Sequence, residues 1–342
     1  MLNQSSDSPL TNHCTLSHHV HQANQEGKVV VRDLPFPEPE EQELLVKVLY
    51  SGVNLSDVRV LELFALKNYA LGNEFCGQVL ESKNLDFKVG DVVAGCVGGG
   101  NTRAWRHSAH QEYIAVKPEW IFKVPENTPS HAAAGFGVVV PTAGDALFNR
   151  LGLPLPPSVA HGTPDEGSAT PEGALVIWGG ATSVGMAATQ LARASRVPEI
   201  TEKVRATLQG TKGTIWGFDA LGSLENPVSQ DALKSLIPPH DKVRMATVLL
   251  ARHEGFEITI GGRHFHVEFD LPDGTKLVIP KDMVAADRHW RALHWVIENY
   301  GGEYKPTPVR VFEGTGKDAV NELYRMQEMR TFGKVVLKQP LQ

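Results

Sequence analysis

The chain reads as an α/β protein of two units, a small β-rich, barrel-like unit followed by a strand-and-helix unit. Three observations predict this. Short apolar strands punctuated by Gly and Pro run from about residue 28 to Pro125, the pattern of an antiparallel barrel-like domain. The composition shifts to helix-forming stretches after His131. The run ALVIWGGATSVGMAATQLARAS (174–195) then joins a buried strand, a glycine-containing turn and an amphipathic helix. A length of 342 residues suits about two domains of roughly 150 residues each. A hydrophobic share of 42% supplies two cores.

In chain order, the polar start MLNQSSDSPLTNH has no apolar h-region and predicts no secretory signal. His13, His18, His19 and His21 follow it. No Cys or Asp at ligand spacing accompanies them, so they predict a solvated first strand rather than a metal site. Gln25-Glu26-Gly27 reads as a turn into a strand at Val29 to Val31. LLVKVLY (44–50), GQVLE (77–81), GDVVAG (90–95) and EYIAVK (112–117) read as further strands. Residues 131–152 read as helical with Thr142 near the middle, and residues 151–172 as a Pro- and Gly-rich linker. Val197 to Leu208, His289 to Asn299 and Gly316 to Met329 read as helices. TIWGFDAL and VRMATVLL read as strands, residues 256–279 as hairpins turning at Asp273-Gly274, and FGKVVLKQ as a closing strand.

A net charge of −6 excludes a general nucleic-acid binder. No run is long enough to span a bilayer. Three cysteines are too few for a disulfide framework. The cytoplasm is the expected compartment.

The glycine turn carries the first candidate site. Gly179, Gly180, Thr182, Ser183 and Gly185 lie between an apolar strand and a helix, where backbone N–H groups can approach a pyrophosphate. These are the cofactor-binding candidates if a nucleotide is bound. The second group is SGVNLSD (51–57), GNEFCG (72–77) and FKVGDVVAG (87–95). Their order and spacing resemble the catalytic-domain signatures of medium-chain dehydrogenases/reductases. The match continues through SAHQEYIAV, KVPENTPSHAAAG, PTAGDALF and the glycine turn.

That resemblance implies a GroES-like barrel at 1–140, completed by 300–342, and a Rossmann-type doubly wound domain at 141–299. In the zinc alcohol dehydrogenases of the family the catalytic ligands are Cys, His and Cys. Those positions are Asn54, Asn73 and Val138 here, so no metal is expected. The run LGLPLPP (151–157) and the turn GGATSVG resemble the zinc-free fungal trans-acting enoyl reductases that serve polyketide synthases with NADPH. Their active-site Lys falls on Arg59, and their Thr near the nicotinamide falls on Thr142. The resemblance also implies a polyketide-type substrate, a polyketide synthase partner and a homodimer.

One departure is large. From Gly185 to Asp219 there are only 34 positions, whereas one βαβ unit takes about 30 or more residues. The second strand, its helix and the third strand are therefore expected to be missing. The residue that reads the adenosine ribose goes with them. Glu202, Lys203 and Arg205 lie near the right distance but on a predicted helix.

Loss of the cofactor with retention of the cleft predicts a non-redox double-bond isomerase on an α,β-unsaturated carbonyl, with no cofactor and with proton transfer by side chains. Glu74, next to Asn73, is the first acid candidate, since burial raises a carboxyl pKa. Its alternative is a buried carboxylate paired with an arginine. Asp57 reads as structural or acidic, and Ser56 as a proton relay or turn cap. Cys96, His107 and His110 read as an exposed loop that could border substrate, and His264 and His266 as surface residues of a hairpin. The alternatives are an NADPH-dependent enoyl reductase and a non-catalytic synthase partner.

Overall fold

The structure is a computed structural model that describes residues 18–197, 208–225, 227–328 and 332–341. The helix expected at Val197 to Leu208, with Glu202, Lys203 and Arg205, falls mainly outside the described residues, as does His13.

A mostly antiparallel sheet builds the first unit. Its strands are β3 (Leu44–Gly52), β4 (Glu74–Glu81), β5 (Val92–Cys96), β6 (Tyr113–Val116) and β7 (Ile121–Lys123). The late strands β14 (Val309–Phe312) and β15 (Lys334–Lys338) join it, giving the order β14-β15-β3-β4-β5-β7 with β6 on β3. Closing strand FGKVVLKQ thus returns to the N-terminal sheet, pairing Leu337 with Ser51. Strands β1 (His18–Ala23) and β2 (Val29–Leu34) form a separate antiparallel pair. The first strand is not wholly solvated, because His21 is buried and hydrogen-bonded to the Gly316 carbonyl at 3.1 Å.

A four-stranded sheet builds the second unit. Strands β8 (Gly173–Trp178), β9 (Thr214–Asp219), β10 (Val243–Thr247) and β11 (Phe256–Ile258) pair in sequence order, every pair parallel. A doubly wound sheet runs 3-2-1-4-5-6. The order here corresponds to 1-4-5-6, so among the described residues β8, the strand that leads to the glycine turn, lies at an edge. Residues 256–258 therefore extend the parallel sheet and are no hairpin. The hairpin of this stretch is β12 (Val267–Asp270) with β13 (Lys276–Ile279). Its Phe265, Val267 and Phe269 pack into the barrel core, and Phe269 stacks on Phe64 at 4.1 Å.

The apolar stretch 131–152 is not one helix. It forms Ser130–Ala133, Val139–Gly144 and a π-helical turn Asp145–Arg150, which together with helix Met283–Glu298 form the core between the two sheets. Two amphipathic helices complete the site's surroundings, Leu55–Leu63 from the barrel and Ser183–Ala194 after the glycine turn.

Candidate active site

A cavity of about 310 Å³ lies between the two units. Its walls come from the start of helix Leu55–Leu63, from Thr142, from the start of helix Ser183–Ala194, and from segment 259–269. Most of the lining is apolar. The polar side chains include Asn54, Ser56, Arg59, Asn73, Thr142 and Lys334. Among the described residues the titratable side chains in the wall are Arg59, Tyr69, Cys96 and Lys334, with no carboxylate and no imidazole. Burial raises the Tyr69 hydroxyl and the Cys96 thiol above their ordinary pKa values, so both face the cavity neutral.

The acid candidates sit behind this wall. Glu74 is fully buried. One carboxylate oxygen accepts from Asn54 Nδ2 at 2.9 Å and from the Lys334 ammonium, and the other from the Val138 N–H at 2.7 Å. Its partner is a lysine, not the arginine considered from the sequence. With three donors on its two oxygens, one of them the Lys334 ammonium, and no place in the cavity wall, this carboxylate is poorly placed to hand a proton to a substrate. Asp57 is buried as well. It accepts from the Asn54 N–H at 2.7 Å, Asn73 Nδ2 at 2.8 Å and His110 Nε2 at 3.2 Å. Its carboxylate fixes the start of helix Leu55–Leu63 and orients Asn73.

Arg103, absent from the sequence reading, locks Asn73 from the other side. It donates to Asn73 Oδ1 at 2.8 Å and to the Gly72 and Gly98 carbonyls, both at 3.1 Å. It also lies 4.4 Å over the Tyr69 ring. Asn73 then has one orientation, with its amide N–H 3.4 Å from Ser56 Oγ. The loop histidines are not exposed. His107 is half-buried and 2.7 Å from Glu43, whose carboxyl it helps to hold down at a pKa of about 2. His110 is buried between Ser51 and Asp57, and Cys96 ends β5 in the cavity wall.

The glycine turn reaches the cavity from the sheet. Gly179 has φ +83°, a conformation that favours glycine. A side chain on Gly185 would meet the Gly179 carbonyl oxygen at 2.2 Å, so helix and turn touch there. The Gly180 position has open space, with its nearest neighbour at 3.8 Å. Thr182 caps the helix, accepting from the Gly185 N–H at 3.0 Å, and Ser183 Oγ donates to the Gly333 carbonyl at 3.3 Å. Arg59, from the barrel helix, reaches across the cleft to the Gly222 carbonyl.

Two buried aspartates hold the far wall. Asp219 accepts from the N–H groups of Leu221 and Gly222 and from the Ser229 and Thr247 hydroxyls. Asp145 accepts from Thr259 Oγ1, the Ile260 N–H and Arg263 Nε at 3.1, 3.1 and 2.7 Å. Next to it His264 is buried rather than on the surface, whereas His266 is exposed.

Comparison with known proteins follows this geometry. Residues 40–126 match the alcohol dehydrogenase GroES-like domain. The trans-enoyl reductase apdC of Emericella nidulans is 32% identical over 143 residues, 41% of this chain and 43% of that protein. The trans-enoyl reductase resD of Aspergillus sclerotiorum is 32% identical over 171 residues, 48% of each. The chain thus spans about half the length of the curated relatives it matches. An alcohol dehydrogenase superfamily protein from Novosphingobium aromaticivorans superposes with a TM-score of 0.65 at 18% identity, over 94% of this chain and 99% of that one. The acetophenone reductase of Geotrichum candidum, solved with NAD, gives 0.63 at 15%, over 94% and 97%. The chain has the fold of the alcohol dehydrogenase superfamily, a GroES-like unit joined to a Rossmann-type unit. Over the matched half it is similar to the fungal trans-enoyl reductases.

Proposed function

We propose that the protein is a nicotinamide-dependent enoyl reductase acting on an α,β-unsaturated carbonyl of polyketide type, in partnership with a polyketide synthase. One observation carries this reading. A largely apolar cavity joins the glycine-turn helix to Asn54, Ser56, Thr142 and Lys334 of the barrel side, and no carboxylate or imidazole lines it among the described residues. Such a site can bind and polarise a carbonyl, but it lacks the carboxylic acid that a side-chain isomerase needs. The names of the relatives point the same way.

The residues present fit the reactive half of a dinucleotide. Open space at Gly180, the tight packing at Gly185 and the N-terminal turn of helix Ser183–Ala194 suit a pyrophosphate. A nicotinamide held beside Thr142 would supply hydride. Thr142, Asn54 and Ser56 orient the substrate, and the apolar wall excludes water from the carbonyl.

The opposite reading, cofactor-free isomerisation, draws on the edge position of β8, beyond which no strand is described. Two measurements separate the readings: consumption of NADPH or NADH with a crotonyl or sorbyl thioester, and double-bond migration in a β,γ-unsaturated thioester without cofactor, followed by NMR. Cofactor oxidation matched to saturated product supports the reductase. Migration alone replaces it with the isomerase.

A further inference from the structure

We propose that the Lys334 ammonium is the catalytic cation of this cavity, the group that receives the substrate's carbonyl oxygen. The inference deepens the reading above, because it assigns the charge that the enoyl carbonyl meets. Neither the sequence pattern nor the comparisons assign this residue a role.

Lys334 opens β15 with only 4% of its side chain exposed, and it forms part of the cavity wall. Its ammonium donates to Asn54 Oδ1 at 2.7 Å and to Glu74 Oε1. An ammonium carries three N–H donors, and these two bonds leave one without a partner among the described residues. Glu74 is fixed in turn by Asn54 Nδ2 and the Val138 N–H. The cation is therefore pre-oriented by three elements, the β4 start, the Asn54 turn and the Val138 backbone. Arg59, the other cation in the wall, is committed to the Gly222 carbonyl.

A fixed cation in a water-poor cavity is what an enoyl carbonyl needs when charge develops on it. As hydride joins the β carbon, the C=C electron pair shifts to form the α-carbon to carbonyl-carbon double bond, and the carbonyl oxygen becomes an enolate. That oxygen faces Lys334, which acts by hydrogen bonding and charge rather than by transferring a proton. A proton from water then joins the α carbon and the carbonyl re-forms; a bound reduced nicotinamide would supply the hydride, one proton with two electrons, that balances the saturated product. The same cation would stabilise the dienolate of a cofactor-free isomerisation, so the assignment does not depend on the source of hydride.

Removing Lys334 alone would strand a buried carboxylate, so the test uses Glu74→Gln/Lys334→Met, which removes both charges, beside Lys334→Arg. The probe is the cinnamoyl thioester of N-acetylcysteamine, read by its ultraviolet absorption on binding without cofactor. Polarisation of the carbonyl by a cation shifts this band to the red. The expected result is a red shift with the wild-type protein, an altered shift with Lys334→Arg, and no shift from the bound probe with the double variant. Turnover in the double variant should fall about 100-fold with little change in cofactor affinity. A full red shift in the double variant, a wild-type spectrum in Lys334→Arg, or failure of the wild type to bind or shift the probe at millimolar concentration overturns the assignment. A wild-type shift without any NADPH oxidation would instead sink the reductase reading and leave Lys334 in place.

Discussion

Acid should unfold this protein through two buried histidines, His264 and His289. Their ring centroids lie 6.1 Å apart. Among the described residues none of their four ring nitrogens has a hydrogen-bond partner. The groups around them are Phe265, Trp290, Lys281, Asp145 and Asp287. Burial, then His289 and Lys281, lowers the His264 pKa from 6.5 to about 3. Burial lowers His289 to about 4, against the pull of Asp145 and Asp287. The folded values lie below the unfolded one, so the unfolded chain takes up more protons between them. The stability contribution is full above pH 6.5 and drains away as pH falls toward 4 and then 3. From pH 7.5 to 5.0 each histidine should cost about 2 kcal/mol, roughly 4 together. Urea unfolding of the wild type and of His264→Phe/His289→Phe at the two pH values measures this, with the variant expected to lose about 4 kcal/mol less. Equal pH dependence in the two proteins would refute the argument and mean that the imidazoles are not held neutral by burial.

Other perturbations have separate readouts. Asp57→Ala leaves three donors, from Asn54, Asn73 and His110, without their acceptor, and should destabilise by roughly 2–4 kcal/mol in urea titration. Gly185→Ala drives a methyl group to 2.2 Å from the Gly179 carbonyl oxygen and should cost about 1–3 kcal/mol or more. Gly180→Ala, with open space, should stay within about 0.5 kcal/mol. Thr182→Ala removes the cap on Gly185 N–H and should lower stability by about 1 kcal/mol, with weaker cofactor binding by calorimetry. Reduced nicotinamide mononucleotide should bind within about tenfold of NADPH, since no strand flanks β8 on its outer side among the described residues; a thousandfold gap would place an adenosine site elsewhere in the chain.

The sequence carries the strands and the glycine turn because their signals are local. Period-two runs such as LLVKVLY and the ALVIWGG transition depend only on neighbours. The stretch from Gly185 to Asp219 is short by counting alone, and residues 198–207 within it lie outside the described residues. The site's charge arrangement was not. Lys334 meets Glu74 across 260 residues of sequence, and no spacing rule connects a lysine at the start of a closing strand to a glutamate at the start of an early one. Glu74 was placed near the cleft, but its three donors come from the Asn54 turn, the Val138 backbone and β15, so its saturation appears only on folding. His264 alternates with His266 as a surface strand would. It lies before β12, however, in a turn packed against helix Met283–Glu298, and tertiary packing overrides the alternation.

Among the described residues β8 is an edge strand, and the cavity does not depend on what lies beyond that edge, because other anchors hold it. In a doubly wound sheet the reacting end lies at the carboxyl ends of the strands around the switch point, and the strands beyond the first one serve the adenosine. Here the reacting end is tied by Asp219 to β10 through Thr247 and to the loop through Leu221 and Gly222. Asp145 ties segment 259–263 to the helical stretch after Thr142. None of these bonds involves the outer edge of β8. Fewer strands at that edge would remove binding area for the remote part of a ligand, a loss felt in affinity and, where remote binding energy is spent on orientation, in turnover. The cavity can therefore keep its polarising groups even where affinity for a whole dinucleotide is low, and the absence of a carboxylate from its described wall still favours reduction over isomerisation.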